Sequence, residues 1–188
     1  MSIRKKAMTT SFPEPYRSNF RLPPLEPDMA FVYSRFAHFL AFAAGAGLSK
    51  YAPGTVGTLV AFPIYWLLQL LFDPVALLLI IDIFFIIGIW ACGITGKALN
   101  APDHSGMVWD EIVAFLLVLY FLPNHWLWQI SAFILFRFFD IVKPPPIKYY
   151  ERKLHGGIGV MFDDLLAAFY TLLCLAGWKS IVLFESYF

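Results

Sequence analysis

Residues 136–164 read FRFFDIVKPPPIKYYERKLHGGIGVMFDD, with long apolar runs on either side. Arg137, Asp140, Lys143, Lys148, Arg152, Lys153, His155, Asp163 and Asp164 all fall in this one stretch, in a chain otherwise poor in charge. Ionisable groups at a membrane edge are costly to hold, so they point first to function. Pro144, Pro145 and Pro146 stop the helix that carries Arg137 and Asp140, because proline lacks an N–H and restricts the residue before it. The stretch therefore reads as a polar connection between two apolar helices, and the fold follows from how many more such helices there are.

Composition supports the membrane reading. Sixty per cent of the 188 residues are hydrophobic and 14% are charged, with a mean hydropathy of +0.68. Soluble domains run at about 45–50% apolar and 25% charged, and one of this size could not cover so much apolar surface. A net charge of +1 with no dense basic run argues against a nucleic-acid partner. Cys92 and Cys174 lie in apolar runs and read as packing residues.

Working outward, residues 1–29 form a basic, proline-rich and flexible tail, and 30–188 form the membrane domain. The tail is not followed by the apolar core and small-residue site of a signal peptide. Residues 30–47 carry Arg35 and His38 on one face, which suits an interfacial helix with His38 reaching toward head groups. Apolar runs follow at about 56–72, 75–95, 109–122, 126–142 and 163–183. The fold class expected is all-α, a polytopic membrane protein of about five transmembrane or partly re-entrant helices plus the interfacial one. Two runs fall short of the roughly 20 residues a span needs. Asp82, in the middle of the second run, should face the bundle and pair there. Trp109, Trp126, Trp128 and Trp178 read as interfacial anchors.

Five crossings put the tail, 96–108 and 143–162 on one side. That side holds most of the Lys and Arg, and is therefore expected to be cytoplasmic. The same count brings Lys50, Asp103, Asp110, Glu111, Arg137, Asp140, Lys143, His155, Asp163 and Asp164 to one face. The pairs Asp110–Glu111 and Asp163–Asp164 each stand at the mouth of an apolar helix. A helix dipole alone favours such acids by about 0.3–1 kcal/mol, yet two like-charged pairs entering a membrane together call for a counter-ion. Carboxylates without a Cys/His cluster suit Mg²⁺ shared with a substrate phosphate rather than zinc. Arg137 and Lys143 can clamp a phosphate, with Asp140 as metal ligand or base; a plain helix-end salt bridge is the structural alternative. Gly156, Gly157 and Gly159 offer either an anion nest or a simple turn, and His155 either a proton shuttle or a head-group contact.

The stretches GAGLSKYAPGTVGTL (45–59), DHSGMVWDEIVAF (103–115), FRFFDIVKPPPI (136–147) and HGGIGVMFDDLLAAF (155–169) together resemble the phosphatidylglycerophosphatase A family, over about residues 35–175. Ala114 departs from the pattern, where glycine is expected. The resemblance implies a Mg²⁺-dependent phosphatase of the bacterial inner membrane, acting at its cytoplasmic face on phosphatidylglycerophosphate in the bilayer among other membrane lipids; no obligate protein partner is evident in the sequence. Its motifs fall on Lys50, Thr55, Asp103, Asp110, Glu111, Arg137, Asp140, Lys143, Asp163 and Asp164.

The roles given to these residues are physical inferences. Neither cysteine is followed six residues on by arginine, Ala98 and Ser180 standing there instead, and no Asp-x-Asp occurs. Covalent cysteinyl or aspartyl routes are thus disfavoured, leaving metal-assisted attack by water. Asp103, Asp110, Glu111, Asp163 and Asp164 are the expected metal ligands. Asp140, Arg137 and Lys143 are the catalytic group, and Lys50, Thr55, Arg137 and Lys143 bind substrate. The rival reading is a cation transporter or channel, which would string acids along a path across the bilayer.

Overall fold

The structure, a computed structural model, describes residues 25–185; of the tail expected over residues 1–29, residues 1–24 lie outside them. The described residues form helices and no strand. Two short helices come first, α1 (Met29–Ser34) and α2 (Phe36–Ala41), followed by a 3₁₀ segment over Ala43–Leu48. The interfacial helix expected over 30–47 is thus broken, with Arg35 extended between its halves (φ −149°, ψ 146°). His38 is not at the surface either. It is 3% exposed, its ring stacked on Phe31 at 4.2 Å.

The main bundle comprises α3 (Pro53–Leu71), α4 (Pro74–Ala98), α5 (Trp109–Phe121), α6 (Trp126–Val142) and α8 (Gly157–Glu185), with the short α7 (Ile147–Lys153) between the last two. Local chemistry sets the boundaries. Asp73 caps α4, its Oδ1 accepting from the N–H groups of Val75 and Ala76 at 3.0 and 3.1 Å, with Pro74 in the first turn where no N–H is missed. Lys143 closes α6 in the left-handed region (φ 45°) ahead of the three prolines.

Of these, α3, α4 and α8 are long and apolar enough to cross a membrane. α5 has 13 residues, about 20 Å of helix against a hydrocarbon core of about 30 Å. It is the hub: Ile112 to Leu116, Val118 and Leu119 are all buried, and α3, α4, α6 and α8 pack round it. A helix apolar on every side belongs in the middle of a bundle. The outer surface carries Leu67 and Leu70 from α3, Ile83 and Ile86 from α4, Ile130 and Ile134 from α6, and Leu173 from α8. That belt fits lipid.

Two expectations fail on this surface. Asp82 is exposed on α4, with no hydrogen bond or ion pair among the described residues, instead of facing the bundle. Trp109 is 7% exposed and donates from Nε1 to the Phe84 carbonyl at 3.1 Å. It ties α5 to α4 and is no interfacial anchor, whereas Trp126 and Trp178 are exposed as expected.

Candidate active site

The starts of α3, α5 and α8 and the ends of α4 and α6 meet at one end of the bundle. From α5 come Asp110 and Glu111 in the first turn. α6 contributes Arg137 and Asp140, one turn apart, and α8 contributes Asp163 and Asp164. The last helix starts at Gly157, so these two acids lie in its second turn and not at its N-terminus. The dipole explanation is weaker there.

Arg137 is the link between helices. Its Nη1 lies 2.6 Å from Asp140 Oδ2 and 3.7 Å from Glu111 Oε1, and donates to Thr58 Oγ1 at 3.5 Å. Thr58 in turn donates to the Gly54 carbonyl at 2.9 Å. At Gly54 a Cβ would collide with Glu111 Oε1 and lie 3.0 Å from both guanidinium Nη atoms. Glycine is needed here so that the backbone of α3 can close against the acid–guanidinium cluster. On the other flank, Lys143 Nζ lies 3.1 Å from Asp163 Oδ2.

Asp110, Glu111 and Asp164 converge, each offering an oxygen within 4.8 Å of the others. The Asp140 and Asp164 carboxyls come within hydrogen-bonding range. Asp110, Asp163 and Asp164 are all under a tenth exposed. Asp110 Oδ1 and Glu111 Oε2 are buried with no hydrogen-bond partner among the described residues. Buried acceptors left in that condition are expensive. Five carboxyls (110, 111, 140, 163, 164) face two cations (137, 143) here, and a divalent ion would offset the surplus and fill the empty oxygen positions. Hard oxygen donors alone fit Mg²⁺ or Mn²⁺.

Not every residue singled out by sequence joins this cluster. Asp163 turns to Lys143 and stands outside the converging triad. Asp103 also stands outside it, on the wall of a neighbouring cavity. Lys50 is exposed in the bend before α3, with no ion pair among the described residues, and Thr55 is half-buried while Thr58 takes the contact with Arg137. Thr58 and Gly54 were missed. Their signal was the four-residue spacing that puts both on one face once Pro53 opens the helix. Gly157 and Gly159 are positions of close backbone approach. Their close neighbours are the Ile89 and Leu154 carbonyls, and only Gly156 has positive φ (+70°).

Helices of this length and hydropathy, with acids and bases gathered at one end, define an integral membrane protein with a buried carboxylate–guanidinium site suited to phosphate chemistry. The family model for phosphatidylglycerophosphatase A matches residues 39–179, and the chain belongs to that family. It is 40% identical over 132 residues to the Escherichia coli K12 phosphatidylglycerophosphatase A, covering 69% of this chain and 76% of that protein. The Haemophilus influenzae Rd protein of the same name is 41% identical over 137 residues, covering 72% and 84%. A Bacteroides thetaiotaomicron protein, provisionally named a phosphatidylinositol-3-phosphatase, is 40% identical over 145 residues, covering 73% and 90%. No solved structure matches. The chain is thus a phosphatase of the membrane.

Proposed function

We propose that this protein removes the terminal phosphate of phosphatidylglycerophosphate at the cytoplasmic leaflet, with Mg²⁺ held by Asp110, Glu111 and Asp164. The convergence of those three carboxylates beside Arg137 is the observation that carries the reading. When bound, Mg²⁺ would supply Lewis-acid polarisation of the phosphoryl group and offset its charge.

The chain's own residues do the rest. Arg137 Nε is buried with no hydrogen-bond partner among the described residues, and a phosphoryl oxygen is the acceptor it lacks. Asp140, fixed by its ion pair with Arg137, orients the attacking water and takes its proton. As the phosphorus–oxygen bond to the glycerol breaks, that proton passes to the leaving oxygen, giving phosphatidylglycerol and inorganic phosphate. Lys143, held by Asp163, offsets charge on the equatorial oxygens. Fixed charges in a site shielded from water supply most of the rate in phosphoryl transfer.

Gathering of the acids at one end favours this over a transporter, whose acids would be spread across the bilayer. The purified protein should release phosphate from phosphatidylglycerophosphate, stop in EDTA and resume with Mg²⁺. Faster turnover of phosphatidylinositol 3-phosphate would transfer the reading to the substrate named for the Bacteroides relative. For the leaflet, Ile158→Cys in a chain lacking its native cysteines should react only with reagent applied from the cytoplasmic side; labelling from outside would reverse the orientation.

A further inference from the structure

Beside the phosphate site, between the last turn of α4, the 100–103 loop and the start of α8, lies a cavity of about 580 Å³. Lys97, Asn100, Asp103, His155, Gly156 and Asp163 are among its walls. Gly96 allows the loop to close on α4: a Cβ there would sit 2.8 Å from the Pro102 carbonyl oxygen and 3.1 Å from that of Ala101. The Ala101 N–H donates to the Gly96 carbonyl at 3.0 Å, and Asn100 holds the turn with φ 55°. Lys97, Asn100 and Asp103 are thereby fixed on the cavity wall. Opposite, Gly156 has no heavy atom within 4 Å of where a Cβ would be, so that side stays open. The dividing wall is α8 itself. Asp163 faces the cavity and Lys143, while Asp164, the next residue, belongs to the acid triad.

We propose that this cavity binds the inner half of the head group, its phosphodiester and the glycerol linker, while the terminal phosphate occupies the acid–guanidinium site. The inference rests on the reaction proposed above and names the residues that would select its substrate. The inner half of that head group carries one anion and one secondary hydroxyl. Lys97 supplies a cation and Asn100 and His155 supply donors for the anion. Asp103 would repel a phosphodiester at close range, so it pairs with the hydroxyl, which can donate to it. A lone lysine in the last turn of a helix is otherwise explained by the dipole, and that role would not touch substrate affinity.

The test is steady-state kinetics in mixed micelles with phosphatidylglycerophosphate and an analogue whose linker lacks the hydroxyl. Lys97→Met should raise KM about tenfold with kcat within about twofold, and Lys97→Arg should recover most of the loss. The analogue should cost the unaltered enzyme several-fold in kcat/KM, and that penalty should vanish in Asp103→Ala, because the two changes remove the same contact. Lys97 and His155 are exposed, so Lys97→Met and His155→Ala should keep the helical circular dichroism and elution profile of the parent. KM unmoved by Lys97→Met, or an analogue penalty that persists in Asp103→Ala, would overturn the inference while leaving the proposed reaction standing. An unaltered enzyme that releases no phosphate from phosphatidylglycerophosphate would overturn both.

Discussion

Lys143 Nζ lies 3.1 Å from Asp163 Oδ2. Because successive helix residues point about 100° apart, this pairing turns Asp164 to the other side of α8, toward Asp110 and Glu111. The two adjacent aspartates therefore do different work. Asp164→Asn should raise the Mg²⁺ concentration for half-maximal activity at least about tenfold. Asp163→Asn should leave it within about twofold and lower kcat, since Lys143 loses its anchor. Equal shifts in a Mg²⁺ titration of the two variants would contradict this division.

Gly54 admits the backbone of α3 to the cluster with no room for a side chain. Gly54→Ala should displace Glu111 and Arg137 by a fraction of an ångström to an ångström, and misplacement on that scale costs about 100-fold in rate. The expected outcome is a folded protein with kcat/KM reduced by about that factor. Activity within twofold of the parent would show that the close approach is unimportant.

Thr58 is fully buried and links the Gly54 carbonyl to Arg137. Thr58→Val keeps the shape and removes both contacts, which should cost about 1–3 kcal/mol of stability and several-fold in activity. Thr55→Val should cost less on both counts. Paired thermal melts and phosphate-release assays check the order, and the reverse order would place the functional threonine at 55.

These positions also mark what the sequence could and could not disclose. Arg137, Asp140 and Lys143 were legible because their spacing of three is a helical turn and the prolines after them end the helix. Shared placement of the distant acids followed from counting apolar runs and weighing Lys and Arg on each side. Which member of an adjacent pair joins the triad was not legible: Asp163 and Asp164 are equally buried and differ in rotation about α8, which is set by packing on its neighbours. Asp82 failed for a related reason, since a helix apolar on all faces gives no periodic signal of which side is buried. Trp109 looked interfacial because it borders a polar loop, but α5 is the central helix and its first turn is already inside. Asp103 lies in the loop before α5 and lines the neighbouring cavity instead of joining the triad.

His38 gives the fold a pH sensitivity apart from the site. Burial beneath Phe31 lowers its pKa from the usual 6.5, opposed by the Phe31 carbonyl and aided by Arg35. Below pH 6.5 the unfolded chain takes up a proton that the folded chain resists, so this contribution to stability is present above 6.5 and lost as pH falls toward the folded value. The melting temperature in detergent should drop between pH 7.5 and 5.5, and drop less in His38→Gln. An unchanged slope in that variant would assign the sensitivity elsewhere.

The central claim is that Asp110, Glu111 and Asp164, from two helices distant in sequence, hold one hard cation. Diffraction from crystals soaked in Mn²⁺ tests it most directly through the anomalous signal. The expected map has a peak among those three carboxylates, at about 2.0–2.2 Å from their oxygens, lost in Asp164→Asn. A peak centred on Asp163 or Asp103 instead, or a site that stays empty in active protein, would contradict it.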